Sequence, residues 1–181
     1  MRRMRNPPAV PCAALLVLVL LPLSGGAQAP PPPAPITLIR PARVFDGEVL
    51  HPGWVVRVRG ERIDAVGAES AVSAAGAKVL DLPGTTLLPG LIEGHSHVLL
   101  HPYNEASWND QVLHESLALR TARATNHLRA TLLAGFTLIR ELGTEGAGYA
   151  DVGLKQAVEQ DILVGPRMLV ATRAIVASGS Y

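Results

Sequence analysis

Along residues 36–88 apolar and polar positions alternate with a period of two. Val56 and Val58 alternate with Arg57 and Arg59, Gly60-Glu61 marks a short turn, and Ile63 and Ala65 resume the alternation toward Val66 and Gly67. Successive side chains of a strand point to opposite faces, so this stretch predicts a β-hairpin. A second turn signal, Asp46-Gly47, separates Arg43-Val44-Phe45 from Glu48-Val49-Leu50, and another strand is expected over Lys78–Leu82. Several short strands with turns between them predict a small antiparallel sheet or part of a sandwich.

After Thr85 the pattern changes. Thr86–Ile92 is a near-continuous apolar run, the expected form of a strand covered on both faces. One long helix is expected from Ser107 to Ala134, with Leu113, Leu117, Thr121, Ala124, Leu128 and Leu132 on one stripe and Gly135 as its stop. Phe136–Leu142 predicts a second strand, Asp151–Gln160 a shorter helix before Gly165-Pro166, and Met168–Ala171 a third strand. Strands and helices alternating at this spacing predict an α/β fold with a parallel sheet.

The first residues carry a different signal. Arg2, Arg3 and Arg5 precede an apolar run from Ala13 to Leu23 and a small-residue tail, Ser24-Gly25-Gly26-Ala27. This has the form of a secretory signal peptide over residues 1–27, with cleavage expected between Ala27 and Gln28. The run falls short of the roughly 20 residues that span a bilayer, so no stable membrane span is expected after cleavage. Residues 28–35 are rich in proline and predict a stiff tether. The expected organisation is therefore a leader (1–27), a linker (28–35), a small β domain (36–85) and a β/α segment (86–181), with the protein exported to the periplasm or the outside.

Composition narrows the function classes. The 181 residues are 48% apolar and 17% charged, which suits a globular chain. Removing the leader leaves 13 Lys and Arg against 15 Asp and Glu, with no basic patch to suggest a nucleic-acid partner. The single cysteine, Cys12, lies in the leader, so neither a disulfide framework nor a cysteine metal site is expected.

Candidate chemistry concentrates in Leu88-Pro89-Gly90-Leu91-Ile92-Glu93-Gly94-His95-Ser96-His97. In a strand, residues i and i+2 share a side, so His95 and His97 can present two imidazoles to one divalent ion while Ser96 faces away. Spacing alone leaves a surface His-Ser-His at a strand exit as the simpler account.

The flanks add to this. Leu88–His97 resembles the first barrel strand of the amidohydrolase superfamily, usually Pro-Gly-hydrophobic-Ile-Asp-x-His-x-His; Glu93 stands where Asp is commoner. Lys78–Gly84 resembles the end of the split sandwich domain before that barrel, Gly135–Gly143 its second strand, and Gly165-Pro166-Arg167 the lead-in to its third. The likeness covers nearly all of 36–181 and is nearest to the imidazolonepropionase and Xaa-Pro dipeptidase-like branch. It implies the N-terminal part of a (β/α)8 barrel, about three βα units, preceded by a small all-β domain. It also implies His95 and His97 as metal ligands, one or two divalent ions with zinc first, and hydrolysis of a C–N bond in an amide, dipeptide or cyclic amide by metal-activated water. The family's remaining ligands, a carboxylated lysine or carboxylate, two further histidines and a late aspartate, have no counterpart in this sequence. Its two lysines, Lys78 and Lys155, fall in the small domain and on a helix.

A complete barrel takes about 250 residues, and 92 lie from Gly90 to Tyr181. The expectation is the front part of a longer enzyme, inactive by itself; the alternative is a non-catalytic remnant or binding module. His101 and Tyr103, in the loop after the ligand strand, are candidates for substrate contact. Arg140, at the end of the second strand, is a candidate carboxylate fork, or else the ion-pair partner of Glu141 or Glu145. His114 and His127, 13 positions apart on the expected helix, point in different directions.

Overall fold

A computed structural model describes residues 32–179. The leader and all but the end of the proline-rich linker lie outside the described residues. Contacts divide the chain into two units, 1–34 and 35–181, and every described strand and helix belongs to the second. No helix among the described residues is long and apolar enough to cross a membrane.

The first sheet contains β1 (Ile36–Phe45), β2 (Leu50–Pro52), β3 (Trp54–Arg59), β4 (Arg62–Ala68) and β5 (Ala77–Leu87). Both expected hairpins form. The Asp46 carboxylate closes the first by accepting from Glu48 N at 2.9 Å and Val49 N at 2.8 Å, and Asp64 braces the second between Arg57 Nε at 2.8 Å and Arg59 Nε at 2.9 Å. β1 is the shared strand: Ile36–Ile39 pair with β3 and Arg43–Phe45 with β2, both antiparallel. The sheet departs from an all-antiparallel pattern at β5, which runs parallel to β1 from Ile36↔Ala77 to Val44↔Leu87. The chain crosses from β4 to β5 through residues 69–76, where Val72 packs on Leu38 and Val55, and so returns in the direction of β1.

The second sheet is parallel, in the order β6 (Leu91–Ser96), β7 (Phe136–Glu141), β8 (Arg167–Val170). The apolar run 86–92 is therefore two strands rather than one. Leu88-Pro89-Gly90 interrupts it because proline brings no amide donor to a sheet ladder. Nor is β6 covered on both faces, since Ile92 is 67% exposed.

The expected single helix is also two, α1 (Trp108–Leu113) and α2 (Leu117–Leu133). Ser116 is extended, at φ −67° and ψ 148°, and its hydroxyl accepts from Leu119 N, capping α2 where a continuous helix would run. His114 thus ends α1 while His127 lies in α2. The buried stripe is shifted accordingly: Ala124 and Leu128 are buried, but Leu113 and Leu117 are exposed, and Gln111 and Arg120 occupy interior positions. Arg120 is satisfied there by the carbonyls of Leu99 and Thr144. With α3 (Ala150–Glu159) these helices cover one face of the sheet around a core of Val98, Leu99, Ala124, Leu128, Ile139, Leu154 and Met168.

Gly90 sits where the two sheets join and has no room for a side chain. A Cβ there would lie 2.1 Å from Thr137 Oγ1 and 2.7 Å from Thr137 Cβ. Threonine is branched at Cβ and stiff, so Gly90→Ala is expected to destabilise the chain by about 1–3 kcal/mol. Thr137→Ala in the same chain should restore only part of this. Urea unfolding of the single and double variants measures both effects.

Candidate metal centre

β6 ends at Ser96, and its histidines stand at the carboxyl end of the parallel sheet, where α/β proteins place their sites. His95 Nε2 and His97 Nε2 are 3.2 Å apart, with ring planes at 66°. Two nitrogens bound at about 2.0–2.1 Å to a tetrahedral zinc lie about 3.3–3.4 Å apart. The pair therefore meets the spacing that one such ion requires of two ligands.

The second ring nitrogen of His97 is also in place. Nδ1 lies 2.9 Å from the Gly143 carbonyl oxygen, which can only accept, so Nδ1 carries the proton and Nε2 keeps its lone pair in the neutral ring. A backbone carbonyl on the far nitrogen is the usual way of fixing a ligand histidine. Glu93, in place of the commoner Asp, accepts from His95 N at 2.9 Å.

Beneath the pair lies a carboxyl that sequence reasoning did not single out. Glu141 ends β7, is fully buried, and accepts from Val98 N at 2.7 Å through Oε2. Its Oε1 is 3.8 Å from His97 Nδ1 and has no hydrogen-bond partner. Burial pushes this carboxyl up to about 7, against the opposing effects of the Val98 amide and His97. Asp151, also fully buried, accepts from Thr172 N at 2.8 Å and ties the exit of β8 to the start of α3. Glu145, in the left-handed region at φ 48°, accepts from the Trp108 indole at 3.1 Å. The available signal for Glu141 was an acid at the carboxyl end of a predicted parallel strand.

The remaining candidates fall in different places. His97, His101, Tyr103 and His127 line one open groove. His101 is buried, with Nδ1 2.8 Å from Glu105 and Nε2 3.1 Å from Glu115, and also contacts Arg123. Its backbone is clamped by Gln111, which pairs with both His101 N and O. Nδ1 is thus committed within the loop, and Nε2 to the α1–α2 junction and α2. Tyr103 is exposed. Arg140 makes neither ion pair considered from sequence; its Nε donates to the Gly94 carbonyl at 3.0 Å. No group of three or more His, Cys, Asp or Glu suited to a metal occurs among the described residues.

A small β domain leading into parallel βα units, with a His-x-His pair at the first strand's carboxyl end, defines the class. The chain belongs to the amidohydrolase family, whose profile matches residues 86–178, just over half of it. Its likeness runs to the imidazolonepropionase and Xaa-Pro dipeptidase-like branch. It is 27% identical over 146 residues to imidazolonepropionase of Cereibacter sphaeroides (strain KD131 / KCTC 12085), covering 76% of this chain and 37% of that protein. Among solved structures it resembles a prolidase complexed with N-methylphosphonate-L-proline (TM-score 0.65, 33% identity, 77% of this chain and 32% of the other). It also resembles a Xaa-Pro dipeptidase with bound methionine in the active site (TM-score 0.67, 25% identity, 80% and 35%). The chain spans about a third of the length of these relatives.

Two outcomes follow from the geometry. His97 keeps its proton on Nδ1, donated in a hydrogen bond to the Gly143 carbonyl, so in the metal-free chain the hydrogen between the two Nε2 atoms belongs to His95. Nitrogen-15 spectra should show His97 as the Nδ1–H tautomer and His95 as the Nε2–H tautomer, with zinc moving the His95 proton away from Nε2. Finding His97 protonated on Nε2 would contradict the arrangement. For Glu141, a carboxyl raised from 4.5 to about 7 on folding keeps its proton longer in the folded than in the unfolded chain. Its contribution is fully favourable below pH 4.5 and is lost as the pH rises to about 7, on the order of 2–3 kcal/mol. Glu141→Gln should flatten that part of the stability profile, read from denaturation midpoints of the metal-free chain between pH 4 and 8.

Proposed function

We propose that the protein acts as an exported metal-dependent hydrolase of C–N bonds, with His95 and His97 as two ligands of a divalent cation, zinc first. The observation that carries this is the 3.2 Å separation of two Nε2 atoms, one of them with its far nitrogen spent on a carbonyl, at the carboxyl end of a parallel strand. When bound, a divalent cation lowers the pKa of water and polarises a carbonyl under attack. The chain's own residues do the positioning: the Gly143 carbonyl holds the proton on His97 Nδ1, and Glu141 fixes the backbone that follows His97 through Val98 N.

The substrate is a small amide, with an Xaa-Pro dipeptide first and a cyclic amide second. Likeness to a Xaa-Pro dipeptidase and to a prolidase holding a phosphonate-proline compound supports that order. Tyr103 and the face of His101 line the groove beside His97 and are assigned to the substrate side. Export rests on the leader sequence.

In the complete gene product loaded with zinc or manganese, release of proline from Xaa-Pro dipeptides is expected to be chelator-sensitive. His95→Ala or His97→Ala should lower it at least about a hundredfold, since even indirect supports of a metal ligand are worth 10–100-fold. Two nitrogen ligands hold an ion loosely, so the 181-residue chain alone should show no turnover. Hydrolysis indifferent to chelator and to both substitutions would overturn the proposal.

A further inference from the structure

Arg120 shares the buried row of α2 with Ala124 and Leu128 and is only 3% exposed. A guanidinium in the interior is costly unless its donors are satisfied. Burial lowers its pKa from the ordinary arginine value, and the charges of Glu115 and Glu145 oppose that shift. Its donors reach two backbone carbonyls, one in each of the loops that follow β6 and β7. Nε donates to Leu99 O at 3.0 Å and Nη2 to Thr144 O at 3.1 Å. These N–H groups belong to one planar unit, so a single rigid edge fixes the spacing of both acceptors.

The two carbonyls flank the hydrogen bond that orients His97. Thr144 follows Gly143, whose carbonyl accepts from His97 Nδ1 at 2.9 Å, and Leu99 lies just beyond His97 in the chain. The segment after β6 is held at successive points: Val98 N by Glu141, Val98 O by His127 Nδ1, and Leu99 O by Arg120. The loop after β7 has a conformation that local preference does not select. Gly143 at φ 148° and Glu145 at φ 48° bracket Thr144, and a side-chain-bearing residue in the left-handed region persists only where surrounding contacts impose it. Those contacts converge on Thr144, which is 1% exposed: its N donates to Thr172 O at 3.1 Å and its O accepts from Arg120. From a third element, the helix, Arg120 therefore bonds to both loops at once.

We propose that Arg120 is a positioning residue of the histidine pair: by holding Leu99 O and Thr144 O on one rigid edge, it sets the bond from His97 Nδ1 to the Gly143 carbonyl and so keeps the His97 Nε2 lone pair free for a divalent cation. Arg120 acts through Gly143 and not on the imidazoles directly. The proposal rests on the metal centre only for what Nε2 binds; the tautomer is a property of the chain itself.

The test uses the 181-residue chain, labelled with nitrogen-15 and carbon-13 and free of metal. In the native chain, couplings across the hydrogen bonds should join Arg120 Nε to the Leu99 carbonyl carbon and Arg120 Nη2 to that of Thr144. Failure to find either coupling would overturn the proposal without recourse to a variant. Arg120→Lys keeps the charge and gives up the planar edge, whereas Arg120→Met keeps much of the volume and gives up every donor. In each folded variant, His97 is expected to lose its exclusive Nδ1–H signature, and the Nε2–H form to become detectable. Zinc, followed at the His95 and His97 rings, should bind about tenfold more weakly, the lower end of the effect of removing a support from a ligand histidine. Arg120→Lys should fall between the native chain and Arg120→Met. Val158→Ala trims the same core from α3 and separates this role from general loosening: it should lower stability and leave the His97 tautomer as it is. An unchanged His97 in a folded Arg120 variant, or an equal change in Val158→Ala at matched loss of stability, would overturn the proposal. If neither Arg120 variant folds, the native couplings decide. Couplings and tautomer as expected, in a native chain whose rings ignore zinc, support Arg120 and count against the metal centre, so the two failures are separable.

Discussion

The hydrogen bond from Val98 N to the buried Glu141 carboxylate holds the site together. It joins the end of β7 to the first residue beyond His97, and its acceptor sits where solvent cannot compensate for a lost partner. Two further bonds complete the pattern: Gly143 O fixes the His97 ring, and Asp151 takes the Thr172 amide at the exit of β8. Buried carboxyls thus tie the end of β7 to the segment after β6, and the exit of β8 to the start of α3. The apolar core beneath, from Val98 to Met168, supplies the general stability; these bonds set where the imidazoles stand.

Much of the fold was legible in the sequence because it followed from local periodicity. The alternation of Val56 and Val58 with Arg57 and Arg59 forms the β3–β4 hairpin, Asp46-Gly47 closes the β1–β2 turn, and the order of strands and helices gave a parallel β6–β7–β8 sheet. What local pattern could not show was decided by contacts distant in sequence. The break at Ser116 arises where Glu115 is drawn to His101 and Arg123, partners 14 and 8 positions away. The parallel course of β5 likewise depends on β1.

The site divides along the same line. The spacing of His95 and His97 implied a shared side, and the structure brings their Nε2 atoms together. Glu141 and the Gly143 carbonyl were not legible, since each acts on a strand some 40 residues earlier: the separations are 43 and 46 positions. Arg140 was a candidate carboxylate fork or ion-pair partner, but its hydrogen bond to the Gly94 carbonyl falls at a register irregularity between Glu93 and Ser96 that no periodicity reveals.

The parallel pairing of β1 with β5 also orders events in time. The β3–β4 hairpin closes over a two-residue turn, a microsecond event, whereas β5 must find β1 across 41 residues. Non-local pairings of this kind wait on chain closure and form late. Since β5 runs through Leu88-Pro89-Gly90 directly into β6, the strand that carries His95 and leads into His97 is anchored at its start only once that slow pairing is made. The end of the chain that carries the histidine pair therefore inherits its folding rate from the opposite sheet.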